Sequence, residues 1–168
     1  MSKRHICLFG EMLLTLLFLA IGFSAVNTPP GLDEVQSVFN KNREDILLLT
    51  SFLIESDCDK IYIADSSAQI KADFTDLAIS DDRVCNAIDH LLKKGTFIKI
   101  SKLGGTISFL QWTGPRDIGC GVIYSTNLEE SIDKEWLTEL SPLSDTHWFY
   151  YVSDYNAWRN GQRASLPS

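Results

Sequence analysis

The chain has 168 residues, 45% of them hydrophobic, and a formal net charge of −7. That length suits one domain plus a targeting segment. The acidic balance argues against a nucleic-acid surface, which needs clustered Lys and Arg for its phosphate contacts.

The amino terminus opens with positive charge at Lys3 and Arg4, followed by residues 12–26, an apolar run without a charged residue. This order is that of a secretory signal or a single-pass anchor. The run is shorter than the roughly 20 residues a spanning helix prefers, and counting from Ile6 would place Glu11 inside it. Ala20-Ile21-Gly22 is the best small-x-small triplet, and no cysteine follows to support lipoprotein processing. We therefore expect residues 1–26 to be a signal peptide or membrane anchor and the body to lie outside the cytoplasm. Without those residues the formal charge is −8.

Residues 27–31 (Asn-Thr-Pro-Pro-Gly) read as a linker, since two prolines and a glycine interrupt any helix. A helix is expected from Leu32 to about Ser56. Asp33 and Glu34 stand at its positive end, and Val35, Val38, Phe39, Ile46, Leu49 and Leu53 form one stripe. Ile61-Tyr62-Ile63 suggests a short strand, while residues 65–76 allow either a helical turn or a loop. A second helix follows with Ser80 as N-cap, Ile79 and Val84 as a hydrophobic staple, and Gly95 as terminator. Its buried stripe is Val84, Ile88, Leu91 and Leu92. His90 lies ~140° around the helix from Cys85 at 3.6 residues per turn, which puts it on the surface. Lys93 and Lys94 suit the negative carboxyl end of the helix.

Phe97 to Ile100 reads as a strand, and Leu103-Gly104-Gly105 turns the chain into a β-hairpin. Its arms are residues 106–112 and 119–124, joined by the turn-rich run 113–117. Alternation pairs Trp112 with Gly119, Leu110 with Gly121, Phe109 with Val122 and Ile107 with Tyr124. Gly119 and Gly121 then either make room for Trp112 or let a ligand reach the backbone beside Cys120, the first being the ordinary role of glycine in a strand. The acidic stretch after Ser125, with Glu129, Glu130, Asp133 and Glu135, reads as a solvated loop with one helical turn at most. It lacks the alternating ligands and central glycine of a calcium loop.

Residues 147–152 (His-Trp-Phe-Tyr-Tyr-Val) are strand-like, with Trp148 and Tyr150 on one face and Phe149 and Tyr151 on the other. One of these two faces is expected to be buried and the other at least partly exposed. Trp158 is expected to fold back with Tyr155 and be mostly buried, and residues 161–168 form a flexible tail.

The fold expected is α+β: a largely antiparallel sheet with two amphipathic helices on one face, preceded by the hydrophobic membrane or signal segment. A single extracytoplasmic domain would span residues 32–160. Candidate surface or binding residues are Tyr151, Phe149, Trp148 and Cys120. Cys58, Cys85 and Cys120 leave open whether a disulfide forms. Without a C-x-x-C pair no metal site or cofactor is indicated. Cys120 and His147, oriented by Asp117 or Asp154, are the one nucleophile pair to consider, although buried cysteine is common as an apolar filler.

Ile118-Gly119-Cys120-Gly121-Val122-Ile123-Tyr124-Ser125, with residues 147–151 and 154–159, resembles the carboxyl-terminal half of small exported or membrane-anchored proteins of Gram-positive bacteria. The likeness spans roughly residues 82–159. It implies a common fold and an extracytoplasmic setting, but no activity. The function expected from sequence is thus a non-catalytic domain, exported or tethered to the membrane. A cell-wall glycan-binding module is the alternative and a Cys/His hydrolase the third reading. The expected partners are the membrane, through the amino-terminal segment, and a wall glycan or another surface protein.

Overall fold

The structure is a computed structural model that describes residues 28–67, 70–73, 75–127 and 137–156. The expectations for the apolar amino terminus, for the acidic stretch from Glu129 to Glu135, for Trp158 and for the tail lie outside the described residues. Within them, no helix is long and apolar enough to cross a membrane.

The fold is α+β, with three helices among the described residues where the pattern suggests two. α1 spans Leu32–Lys41 and α2 spans Arg43–Glu55. The single apolar stripe is real: Val35, Phe39, Ile46, Leu49 and Leu53 are all fully buried. The break falls at Asn42, whose side-chain amide donates to the Val38 carbonyl at 2.8 Å. Its own carbonyl accepts from Ile46 N–H at 3.0 Å and so begins the next helix. A side chain competing for helical carbonyls is what makes Asn a poor interior residue and a good boundary. α3, Asp82–Lys93, is capped by Asp81, which accepts from Arg83 N–H at 2.9 Å. The cap is one residue later than Ser80, and a carboxylate there also favours the positive end of the dipole. Gly95 ends the helix with φ +67°.

Eight strands form one antiparallel sheet in the order β3-β2-β1-β4-β5-β6-β8-β7. They are β1 Lys60–Ala64, β2 Ile70–Ala72, β3 Thr75–Asp76, β4 Lys99–Leu103, β5 Thr106–Thr113, β6 Ile118–Ser125, β7 Leu137–Pro142 and β8 Trp148–Asp154. The stretch 65–76, readable as a turn or a loop, instead supplies β2 and, at the edge of the sheet, β3. β7 carries no strong alternation and is not evident from sequence. Phe97 and Ile98 precede β4 instead of opening it. Gly104 alone of the β4–β5 turn has positive φ, +55°, the pattern of a type II′ hairpin.

All three helices cover one face. On that face Ile61, Ile63, Ile100, Phe109, Val122 and Trp148 meet the helical stripes. Trp148 is the hub. Its ring centroid lies 4.8 Å from Phe39 on α1, 5.3 Å from Tyr124 on β6 and 5.8 Å from Phe109 on β5. Such tilted and edge-on pairs add to the area the rings bury. Lys102 also points to this side and is buried; its ammonium donates to the Ser56 carbonyl at the end of α2, 2.7 Å away. A cation there satisfies an orphan carbonyl and complements the helix dipole. His90 is half-buried and not fully on the surface, because it pairs with Asp45 and ties α3 to α2. Pro30, read as linker, is fastened to the core: its carbonyl accepts from Tyr150 Oη at 3.1 Å and Cys120 Sγ at 3.5 Å.

Two outcomes test this architecture. Trp148→Ala removes a fully packed ring and should lower unfolding free energy by about 3–5 kcal/mol in urea titrations. Asn42→Ala should cost about 1–2 kcal/mol through the lost bond to Val38, with an unchanged m-value.

Candidate functional site

The sheet has a second face that no described helix covers, and the strand registers place its side chains in rows. One row reads Ala64, Lys99, Leu110, Gly121, Tyr151, Leu140; the next reads Tyr62, Ser101, Ser108, Ile123, Phe149, Pro142. Small and hydroxylated residues in the middle, with larger ones to the sides, leave a groove of about 710 Å³. That volume is within the range of ligand pockets, ~300–1,000 Å³.

A β-bulge gives the groove its shape. Leu110 pairs with Gly121 as alternation predicts, but Trp112 then pairs with Cys120 and not with Gly119. Gln111 is the extra residue. The bulge moves Trp112 to the helix side, where it shares a face with Phe109 and packs against the core. The expected Trp112–Gly119 contact is therefore incorrect by one residue. A bulge inverts the alternation beyond it, and nothing in the local composition marks its position.

The glycines have other partners. A Cβ on Gly114 would lie 2.1 Å from the Trp112 ring. A Cβ on Gly121 would lie 2.1 Å from the Phe109 carbonyl oxygen, so the bulged strand needs bare backbone beneath it. Gly119 is on the groove side, near Leu110 and Ser153.

The groove is rich in hydroxyls. Tyr62, Tyr151, Tyr155, Ser101, Ser108, Ser153, Thr106 and Thr113 all line it, together with Leu110 and Ile123. Ser101 Oγ and Ser108 Oγ are 2.8 Å apart, and Ser153 Oγ donates to the Gly119 carbonyl at 3.2 Å. Lys99 is the one cation and Asp117 the one carboxylate among the described lining residues. Lys99 Nζ lies 5.6 Å from the centre of the Tyr62 ring, within cation–π range. Asp117 has φ +58°, a left-handed backbone unusual outside glycine.

Of the four candidates from sequence, Tyr151 lines the groove. It is 5% exposed even on this face, because Leu110, Leu137 and Leu140 surround it with Ile123 in a small second apolar cluster. Burial pushes its phenol well above the usual range. Phe149 is half-buried on the same face, outside the groove lining. Trp148 and Cys120 belong to the core, not the surface, since their strand positions point them at the helices. Tyr62, Lys99, Ser101, Ser108 and Asp117 were not singled out as binding residues. The polar positions alternating with apolar ones in Lys60-Ile-Tyr62-Ile and Lys99-Ile-Ser101 are the signal that marks them, once β1 and β4 are known to pair.

Cys120 and His147 are not brought together. His147 meets the Tyr124 ring edge-on, with 6.2 Å between ring centroids. Four strand positions separate Tyr124 from Cys120, or about 13 Å at ~3.3 Å per residue. Burial pushes the Cys120 thiol up to about 11, its hydrogen-bonding contact with Tyr150 offsetting part of that rise. Burial, then the adjacent Cys120, holds the Tyr150 phenol above its usual range as well. Among the described residues no three His, Cys, Asp or Glu side chains gather as metal ligands. Comparison with protein-family models, curated proteins and solved structures returns no match.

The Cys120 thiol gives a pH prediction. Its folded pKa is raised from 9.0 to about 11, so the native state keeps a proton that the unfolded chain has released. Its contribution is complete below pH 9 and is lost as pH rises through about 11. Urea midpoints measured from pH 8 to 11 should fall over that window, and less steeply in Cys120→Ala. Iodoacetamide at pH 8 should label Cys120 only after denaturation.

Proposed function

We propose that this is a non-catalytic binding domain, carried outside the cytoplasm by its amino-terminal segment, which takes a glycan in the open-face groove. The observation that carries the reading is the groove lining: eight hydroxyl-bearing side chains with an apolar floor at Leu110 and Ile123. Hydroxyls both donate and accept, which suits a polyhydroxylated ligand. The rings of Tyr62 and Tyr155, 41% and 48% exposed, offer flat apolar surface at its rim.

The position of the groove favours this reading over strand addition by a peptide. β4, β5 and β6 are interior strands, so their backbone donors and acceptors are committed to neighbours. A ligand on this face meets side chains. The raised thiol of Cys120 and its distance from His147 favour binding over cysteine chemistry. The extracytoplasmic setting rests on the positively charged start and the apolar run that follows it.

Full-length protein in mild detergent should be retained on insoluble cell-wall glycan. Tyr62→Ala removes an exposed ring and should weaken retention about ten-fold, near 1.4 kcal/mol, at an unchanged denaturant midpoint. Equal retention of the two proteins would remove the groove from the reading. External protease should cleave the body in intact spheroplasts; protection until lysis would refute the setting.

A further inference from the structure

We propose that the groove selects acidic sugars, with Lys99 receiving a carboxylate and Asp117 receiving hydroxyl or amino groups of the same chain; this rests on the glycan reading above and adds the charge of the ligand.

The argument starts from Lys99. Arg43, Lys71, Arg83 and Lys93 are each paired with an aspartate, and Lys102 is held by the Ser56 carbonyl. Lys99 makes no ion pair among the described residues, although the chain carries 22 acidic side chains. Its strand position sets it on the open face beside Leu110, and the Tyr62 ring orients its ammonium. The ring holds the charge in place without neutralising it. An acidic body repels anions in general, so a held cation inside a groove makes anion capture local to that groove.

Asp117 supplies the opposite pole. Thr113 pairs with Gly119, which places the turn containing Asp117 beyond the end of β5. Leu110, the neighbour of Lys99, is three residues before Thr113. The two charges therefore stand on the order of 10 Å apart along the strand. That spacing keeps them from pairing and exceeds the width of one small group. Between them lie hydroxyl and apolar side chains, the surroundings a sugar ring requires on its edges and its faces. A ligand with a carboxylate at one end and hydroxyls along its length satisfies both poles.

The test uses tetragalacturonate and its fully methyl-esterified form, which differ only in the free carboxylates, with full-length protein in calorimetry at low and moderate salt. Wild type should bind the acid at least ten-fold more tightly than the ester, and added salt should narrow the gap. Lys99→Gln should bring the acid down to the affinity of the ester, and Lys99→Arg should keep most of the preference. Equal binding of acid and ester by wild type would overturn the charge selection and leave the glycan reading standing. Binding of neither would overturn both. Tetraglutamate bound as tightly as tetragalacturonate would overturn the sugar class in favour of an acidic peptide. A Lys99→Gln protein with wild-type preference and an unchanged urea midpoint would remove Lys99 from the site.

Discussion

The packing around Trp148 is the constraint on which the rest depends. One indole contacts a ring from α1, one from β5 and one from β6, while its own backbone lies in β8. Those contacts fix the separation of the helical layer from β5, β6 and β8. They also fix which face of β8 is inward, and with period two that decides the outward face as well. Tyr151 is in the groove because Trp148 and Tyr150 are in the core. Pro30 reinforces this by accepting from Tyr150 and Cys120, so the chain just before α1 is held against the same two strands.

The groove is then a matter of subtraction. An antiparallel sheet with helices on one side presents a second face, and here the middle of that face is hollow. Gly121 has no side chain because the bulged backbone of β5 leaves no space for one. Gly119 keeps the floor low beside Leu110 and Ser153. The bulge at Gln111 removes the largest nearby side chain, Trp112, to the other side. Structural requirements of the strand pairing and the opening of the groove are thus met by the same residues.

Much of the layer arrangement was legible in the sequence. Helical stripes such as Val35, Phe39, Ile46, Leu49 and Leu53 are set by a period that composition displays directly. The hairpin register from Ile107 to Leu110 followed from alternation. Alternation also separates Trp148 and Tyr150 from Phe149 and Tyr151, but it does not say which pair faces the helices. Features that depend on one side chain or one extra residue were not legible. Asn42 ends α1 through a single hydrogen bond, with the apolar stripe continuing across it. Gln111 is an ordinary residue whose bulge appears only in the pairing. β2 is only three residues long, and the edge strands β3 and β7 have no regular apolar alternation, so all three are specified by neighbours more than by their own pattern. The candidate site was partly visible for a related reason. Tyr151 stood out in an aromatic run, whereas Tyr62, Lys99 and Ser108 come together only when three separate strands are laid side by side.

The unpaired residue in β5 also makes the lining of the groove depend on chain length as much as on residue type. Giving Gln111 a partner, through one residue inserted in β6 between Cys120 and Gly121, would restore strict alternation and swap the faces of Trp112 and Thr113. A bulky indole would then turn to the groove side, and a hydroxyl would turn to the core. A single three-base change could in this way refit the site without altering the helices or the aromatic hub. Variation among proteins of this design would accordingly be sought in insertions and deletions around the bulge as well as in substitutions along the groove.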